Sequence, residues 1–244
     1  PAAVVNYEWT KSPLKRLIAR PLRWRKLEPA YLGYADRIVT MCDVLKEVLV
    51  KRYSWLDPVR IYTYMNVPDT EFLLAQPIRE VIPQAPGFYT VIYFGGIAIR
   101  RGILTVIAAM ESLRAMGEKV RFLAVGPVDT PEKALFARYL EHPGYHDCII
   151  WVPWITLDEL PSYICAADAG LSPILKSEQH DTTVANKMFQ YSLFGKPILV
   201  SDCEPQVRII RADKSGLVHR SDDPDEMVKQ ILYLKNHPEE ARRM

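Results

Sequence analysis

The stretch EQHDTTVANKMFQYSLFGKPILVSD, residues Glu178–Asp202, decides how the chain is read. Its second half carries a helical pattern through Gly195-Lys196-Pro197 into an apolar run, which is a helix returning tightly into a buried strand. Its first half gathers an acid, two threonines, a lysine and a glutamine about the helix start. Polar chemistry collected at one end of a buried strand–helix–strand unit is what an α/β sheet with a ligand site on its edge requires.

Outward from this stretch the pattern repeats. Short apolar runs begin at Tyr89 (YTVIYFG), Val120 (VRFLAVG), Cys148 (CIIWV), Ala169 (AGLSP), Pro197 (PILVS) and Gly216 (GLVH). Amphipathic segments between them predict helices from near Arg101, Pro131, Leu157, Val184 and Glu204, with a last one from Pro224. The runs are apolar throughout and do not alternate, as strands do when both faces of a parallel sheet are covered. The expected fold is therefore α/β, a doubly wound, Rossmann-like parallel sheet over residues 88–240. Upstream, AAVV, RIVT and VRIYTY read as strands and VLKEVLVKRY as a helix. That is too little for a second complete domain, so residues 1–70 are expected to form a partial one. The Pro-rich NVPDTEFLLAQPIREVIPQAPG reads as irregular, with residues 71–87 as the linker.

A chain of 244 residues with 49% hydrophobic and 25% charged residues has the composition of a soluble globular protein. No apolar run approaches the ~18 residues of a membrane span, and the opening PAAVVNYEW lacks a secretory signal, reading instead as the end of a strand. The cysteines, Cys42, Cys148, Cys165 and Cys203, form no close-spaced motif, which suits free thiols in a reducing compartment. The net charge of +2 is unevenly spread: Lys11–Lys26 holds seven Lys or Arg and no acid. In that stretch Leu14, Leu17, Ile18, Leu22 and Trp24 interleave with the cations, the mark of an interfacial membrane segment. Pro13 and Pro21 interrupt any long helix there, and a solvated basic face is the competing reading.

Three polar clusters fall where strands end. Gly95-Gly96 closes one strand and Arg100-Arg101-Gly102 opens the next helix, an arrangement that lets backbone and guanidinium meet an anion. The same residues also suit a tight turn with solvated arginines; G-x-G-x-x-G and the P-loop pattern are both absent. Thr182 and Thr183 are candidate helix caps, with Lys187 and Gln190 one turn apart beyond them, or else an ordinary capped helix with a solvated face. Trp151 or Trp154 could wall a base pocket, with core packing the plainer role for at least one of them. His142, His146 and Asp147 lie in HPGYHD, which reads as a turn, and no tetrahedral metal set is completed. Neither G-x-S-x-G nor a Cys/His nucleophile context is present.

Taken in order, YFGGIAIRRGILTVIAAM, VRFLAVGP, WVPWITLDELPSYICAADAGLSP, TTVANKMFQYSLFGKPILVSD and GLVHRSDDPDEMVKQILYL resemble the nucleotide-sugar-binding domain of group 1, or GT4-like, glycosyltransferases. The resemblance covers about Tyr89 to Glu240, and YADRIVTMCDVLKEVLVKRY resembles the end of such an enzyme's N-terminal, acceptor-side domain, most of it missing here. It implies a GT-B fold and transfer of a sugar from a nucleotide donor, such as a UDP- or GDP-sugar, to a sugar or lipid-linked acceptor. It further implies retention, no bound metal and no cofactor, in polysaccharide or glycolipid biosynthesis. On it, Gly95, Gly96, Arg100, Arg101, Trp151, Val152, Thr182, Thr183, Lys187 and Gln190 are the donor-binding candidates. The family's lysine before glycine is Arg101 here, and its arginine after the first glycine is Gly96. Its two glutamates, with seven residues between them, are replaced by Thr182 and Gln190, which keep hydrogen-bonding capacity and lose the charge. Tyr7, Glu8 and Thr182 are the catalytic candidates, and no residue is assigned that role.

The implied setting is cytoplasmic, at the inner face of a membrane, with peripheral contact through Lys11–Lys26 and without nucleic acid. Two other functions fit the residues: a non-catalytic nucleotide-sugar-binding module completed by a partner chain, and a GT-B-like nucleotide-sugar epimerase. An epimerase would want a well-placed acidic and histidine set, which the chain lacks.

Overall fold

A computed structural model describes residues 21–83 and 85–244. By packing they form two compact units: residues up to Asn66 together with Ser177–Val184, and Val67–Lys176 together with Ala185–Met244. The expected strand AAVV, the candidates Tyr7 and Glu8, and Lys11–Arg20 of the basic segment lie outside the described residues.

The first unit holds α1 (Pro21–Tyr34), β1 (Ile38–Thr40), α2 (Asp43–Arg52) and β2 (Ile61–Thr63). β1 and β2 pair in parallel, Ile38 opposite Ile61, and these two pack with Leu49 and Leu56 into a small core. On the opposite face Val39 and Tyr62 are register partners and both are exposed. Ser177–Val184 joins this unit by long-range polar contacts: Arg52 pairs with Glu178 at 2.7 Å, and the Cys42 thiol donates to the Thr182 carbonyl at 3.2 Å. No sequence pattern near residue 180 announced this, and the segment had been expected inside the 88–240 domain.

In the second unit the linker is not wholly irregular. Asp69 caps a short helix, α3 (Thr70–Leu74), accepting from the Phe72 amide at 3.0 Å, and Leu73 is buried. Then follow β3 (Tyr89–Phe94), α4 (Ile103–Ala115), β4 (Val120–Val125), α5 (Lys133–Leu140), β5 (Ile149–Val152) and α6 (Leu160–Cys165). The chain continues with β6 (Ala169–Ser172), α7 (Lys187–Leu193), β7 (Ile198–Ser201), α8 (Glu204–Asp213), β8 (Gly216–His219), α9 (Pro224–Asn236) and α10 (Pro238–Ala241). The six strands are parallel in the order β5-β4-β3-β6-β7-β8, so the expected doubly wound sheet is present. β3 through β5 wind one way and β6 through β8 the other, which places the topological switch between β3 and β6.

Each side of the sheet is covered, and β4, β6 and β7 are buried along their whole length. Val91, Tyr93, Phe122, Ala124, Leu171 and Leu199 meet α4 and α9 in one core. α7 lies close on the other side because Gly170 has no side chain: a Cβ there would enter the Tyr191 ring. The buried Tyr191 hydroxyl donates toward the Ile92 and Leu171 carbonyls at 3.0 and 3.3 Å, tying α7 across the switch. No disulfide joins the four cysteines.

Candidate functional site

Ligands of a doubly wound sheet bind outside the carboxyl ends of the strands, where the winding reverses. In the second unit that edge is built by loops that touch one another. Gly95 N donates to the Val125 carbonyl at 2.8 Å, and Gly126 follows with φ +132. A Cβ on Gly126 would collide with the Gly95 carbonyl, so the two strand ends approach as only glycine allows. Gly102 has φ +74 and lies against the Pro173 carbonyl, which joins the β3–α4 loop to the loop after β6.

Gly95 and Gly96 are exposed at this edge, and the Tyr93 hydroxyl donates to the Gly96 carbonyl at 2.8 Å. Burial pushes that hydroxyl up to about 12, so it stays a neutral donor. Lys187, the first residue of α7, places Nζ 3.4 Å from the Tyr93 ring centroid, a cation–π contact beside Gly95. Burial pushes its ammonium well below the ordinary lysine range, and the positive Arg101 adds to the shift. Arg101 is half-buried and makes no ion pair among the described residues, whereas Arg100 is exposed and pairs with Asp129 at 2.6 Å. Gln190 is buried one turn along α7. Lys187 and Arg101 thus act on one glycine-floored edge, where the nearby Asp129 carboxylate is taken up by Arg100.

The two tryptophans separate. Trp154, 73% exposed, joins Phe94, Gly95, Gly126, Ile155 and Leu157 around a cavity of about 490 Å³ beside the glycine pair. Trp151 packs on the core and donates its indole N–H to the Gly126 carbonyl at 3.0 Å. It lines a different cavity, of about 600 Å³, with Val128, Lys133, Leu140 and Glu141. Val152 ends β5 half-buried. Trp154, outside the sequence-derived donor set, is the exposed one; its proline neighbour Pro153 was the only signal that the strand had ended.

Thr182 and Thr183 are not helix caps. α7 starts at Lys187, and Asn186 precedes it without a side-chain cap. Thr182 belongs to a 3-10 turn, His180–Thr182, and its hydroxyl donates to the Glu178 and Gln179 carbonyls at 2.8 and 3.1 Å. The Thr183 hydroxyl bonds the Gln179 carbonyl at 2.9 Å. Threonine satisfies a nearby carbonyl as readily as an N-terminal amide, and here the turn before it supplies the carbonyls. His142 accepts from the Gly144 amide at 3.0 Å in a 3-10 turn, as HPGYHD suggested. Among the described residues no group of three or more His, Cys, Asp or Glu could hold a metal ion.

A family model described as "Glycosyl transferases group 1" matches residues 89–237, more than half of the chain. A comparison with curated proteins found no match. Among solved structures, sucrose-phosphate synthase from Thermosynechococcus elongatus is similar with a TM-score of 0.70 and 19% identity, covering 100% of this chain and 59% of that one. Anabaena Alr3699/HepE in complex with UDP gives 0.71 and 12% identity, over 99% of this chain and 68% of the other. WaaG, described as a glycosyltransferase involved in lipopolysaccharide biosynthesis, gives 0.63 and 17% identity, over 97% and 66%. At these identities the likeness is one of fold. The chain spans 59% of the synthase's length.

Proposed function

From the premise that the chain belongs to the group 1 glycosyl transferases, we propose that it supplies the donor half of a sugar transfer from a nucleotide-sugar to an acceptor. The observation that carries this reading is the glycine-floored switch-point edge, where Lys187 Nζ lies beside Gly95, Arg101 bears on it electrostatically, and the nearby Asp129 carboxylate is paired with Arg100. A departing nucleoside diphosphate gathers negative charge. The Arg101 guanidinium, Lys187 in its protonated form and the exposed loop backbone stabilise that charge, each such group being worth a few kcal/mol. Because this neutralisation needs no ion, the transfer is read as metal-independent. Retention and the GT4-like subclass follow from the sequence resemblance, as does a role for the chain in polysaccharide or glycolipid biosynthesis. Gln190 is assigned to the ribose hydroxyls, and the cavity beside Trp154 to the base.

The acceptor is read as a sugar or lipid-linked sugar, with peripheral membrane contact through the basic segment Lys11–Lys26 at the cytoplasmic face. Among the described residues no helix is long and apolar enough to cross a membrane. Thr182 is not assigned to chemistry, because its hydroxyl is already given to two carbonyls.

Titration calorimetry with UDP, GDP, ADP and CDP tests the reading directly. At least one is expected to bind, with affinity unchanged by EDTA. Arg101→Ala is expected to weaken that binding about 30-fold, the size of one charge-assisted contact. No binding by any nucleoside diphosphate would overturn the donor site, and loss of binding in EDTA would overturn its metal independence.

A further inference from the structure

The loop Gly95–Gly102 is held in shape largely by its neighbour in space. Ile97 N donates to the Pro127 carbonyl at 2.8 Å, Asp129 N returns a bond to the Ile97 carbonyl at 3.0 Å, and Ile97 forms a parallel bridge with Val128. Two carboxylates of the β4–α5 loop complete the join. Glu132 Oε2 accepts from the Ile99 amide at 2.7 Å, and Asp129 Oδ2 holds the Arg100 guanidinium at 2.6 Å. From the other side Leu175 N donates to the Arg100 carbonyl at 3.1 Å.

As stabilisers these two side-chain contacts would achieve little, because the Asp129–Arg100 pair is solvent-accessible on both partners. Their placement is more telling. Asp129 Oδ1 lies 3.6 Å from where a side chain on Gly96 would begin, so a carboxylate stands beside the proposed anion seat. An uncovered carboxylate there would repel a diphosphate, and a guanidinium laid over it removes that repulsion.

Resting on the reading of this loop as a diphosphate seat, we infer that Asp129 and Glu132 are positioning residues that prefold it, with Arg100 serving as their counter-charge. Arg101 alone of the arginine pair is then left for the ligand. The two adjacent arginines, indistinguishable by type, have different tasks: Arg100 keeps Asp129 covered and Arg101 meets phosphate.

A substitution cycle separates this from direct phosphate contact by Arg100. The probes are inorganic pyrophosphate, which needs no base pocket, and UDP, both followed by calorimetry on the full chain. Arg100→Ala is expected to weaken binding about tenfold by uncovering Asp129. Adding Asp129→Asn to Arg100→Ala is expected to restore most of the loss, since the repelling charge is gone. Glu132→Ala is expected to cost about tenfold with little change in melting temperature, while Glu132→Gln, which keeps an acceptor for the Ile99 amide, binds nearly as the parent does. Failure of Asp129→Asn to rescue would overturn the covering role of Arg100, and parental binding by Glu132→Ala would overturn the positioning role of Glu132. If the parent itself binds neither pyrophosphate nor any nucleoside diphosphate, the diphosphate seat falls, and the positioning roles fall with it.

Discussion

Lys187→Met is expected to bind nucleoside diphosphate about 100-fold more weakly than the parent, the cost of removing one partner from a desolvated charge pair. The same substitution is expected to stabilise the ligand-free protein by about 1 kcal/mol, a common return for removing an unfavourable group. These opposite signs come from one cause. Burial over the Tyr93 ring holds the Lys187 pKa in the folded chain below that of the unfolded chain, and Arg101 adds to the effect. The unfolded state therefore binds the proton more tightly. The resulting penalty is full below the folded pKa and fades as pH rises towards the unfolded value near ~10.4. An arriving diphosphate reverses the local field and raises the Lys187 pKa, so binding takes up a proton and weakens as pH rises through the ligand-free pKa. Calorimetry in buffers of different ionisation enthalpy reads that uptake in the parent, and none is expected in Lys187→Met. Unchanged affinity in the variant would remove Lys187 from the site.

Gly126→Ala is expected to destabilise the second unit by about 3 kcal/mol, through backbone strain and a main-chain collision acting together. At φ +132 an alanine is strained even without neighbours, and its methyl would also meet the Gly95 carbonyl, with the carbonyl carbon at 2.9 Å. Gly117→Ala separates the two causes. Gly117 also has positive φ, +75, but nothing lies within 4 Å of its would-be Cβ, so only the dihedral cost of about 1 kcal/mol is expected. Denaturant unfolding of both variants provides the measurement. Equal losses would mean that the strand ends at Gly95 and Gly126 separate readily.

The six-stranded sheet was legible because strands buried on both faces become continuous apolar runs that hardly depend on tertiary detail. Its strand starts at Tyr89, Val120, Ala169 and Gly216 coincide with the apolar runs. Helix starts were read early, at Arg101 for Ile103 and Val184 for Lys187, since 3-10 turns and extended residues precede them and share the same polar composition. In the site, residue type pointed to the glycines, arginines and Lys187, while their division of labour was hidden. Arg100 is answered by Asp129 across 29 positions, and no local pattern encodes that pairing. The hydroxyls of Thr182 and Thr183 had two possible partners, an amide ahead or a carbonyl behind, and composition cannot choose between them.

The two-stranded sheet of the first unit differs in kind from the six-stranded one. β1 and β2 are three residues each and share a single ladder, with Val39 and Tyr62 open to water on one face. Among the described residues no third strand flanks β1 and β2, so each of their ladder bonds lies at an edge. Amides of β3 and β6 are reached only when a whole layer parts. Among the described residues, amide exchange is therefore expected to be faster at residues 38–40 and 61–63 than at β3 and β6, which are exposed only with loss of the large sheet.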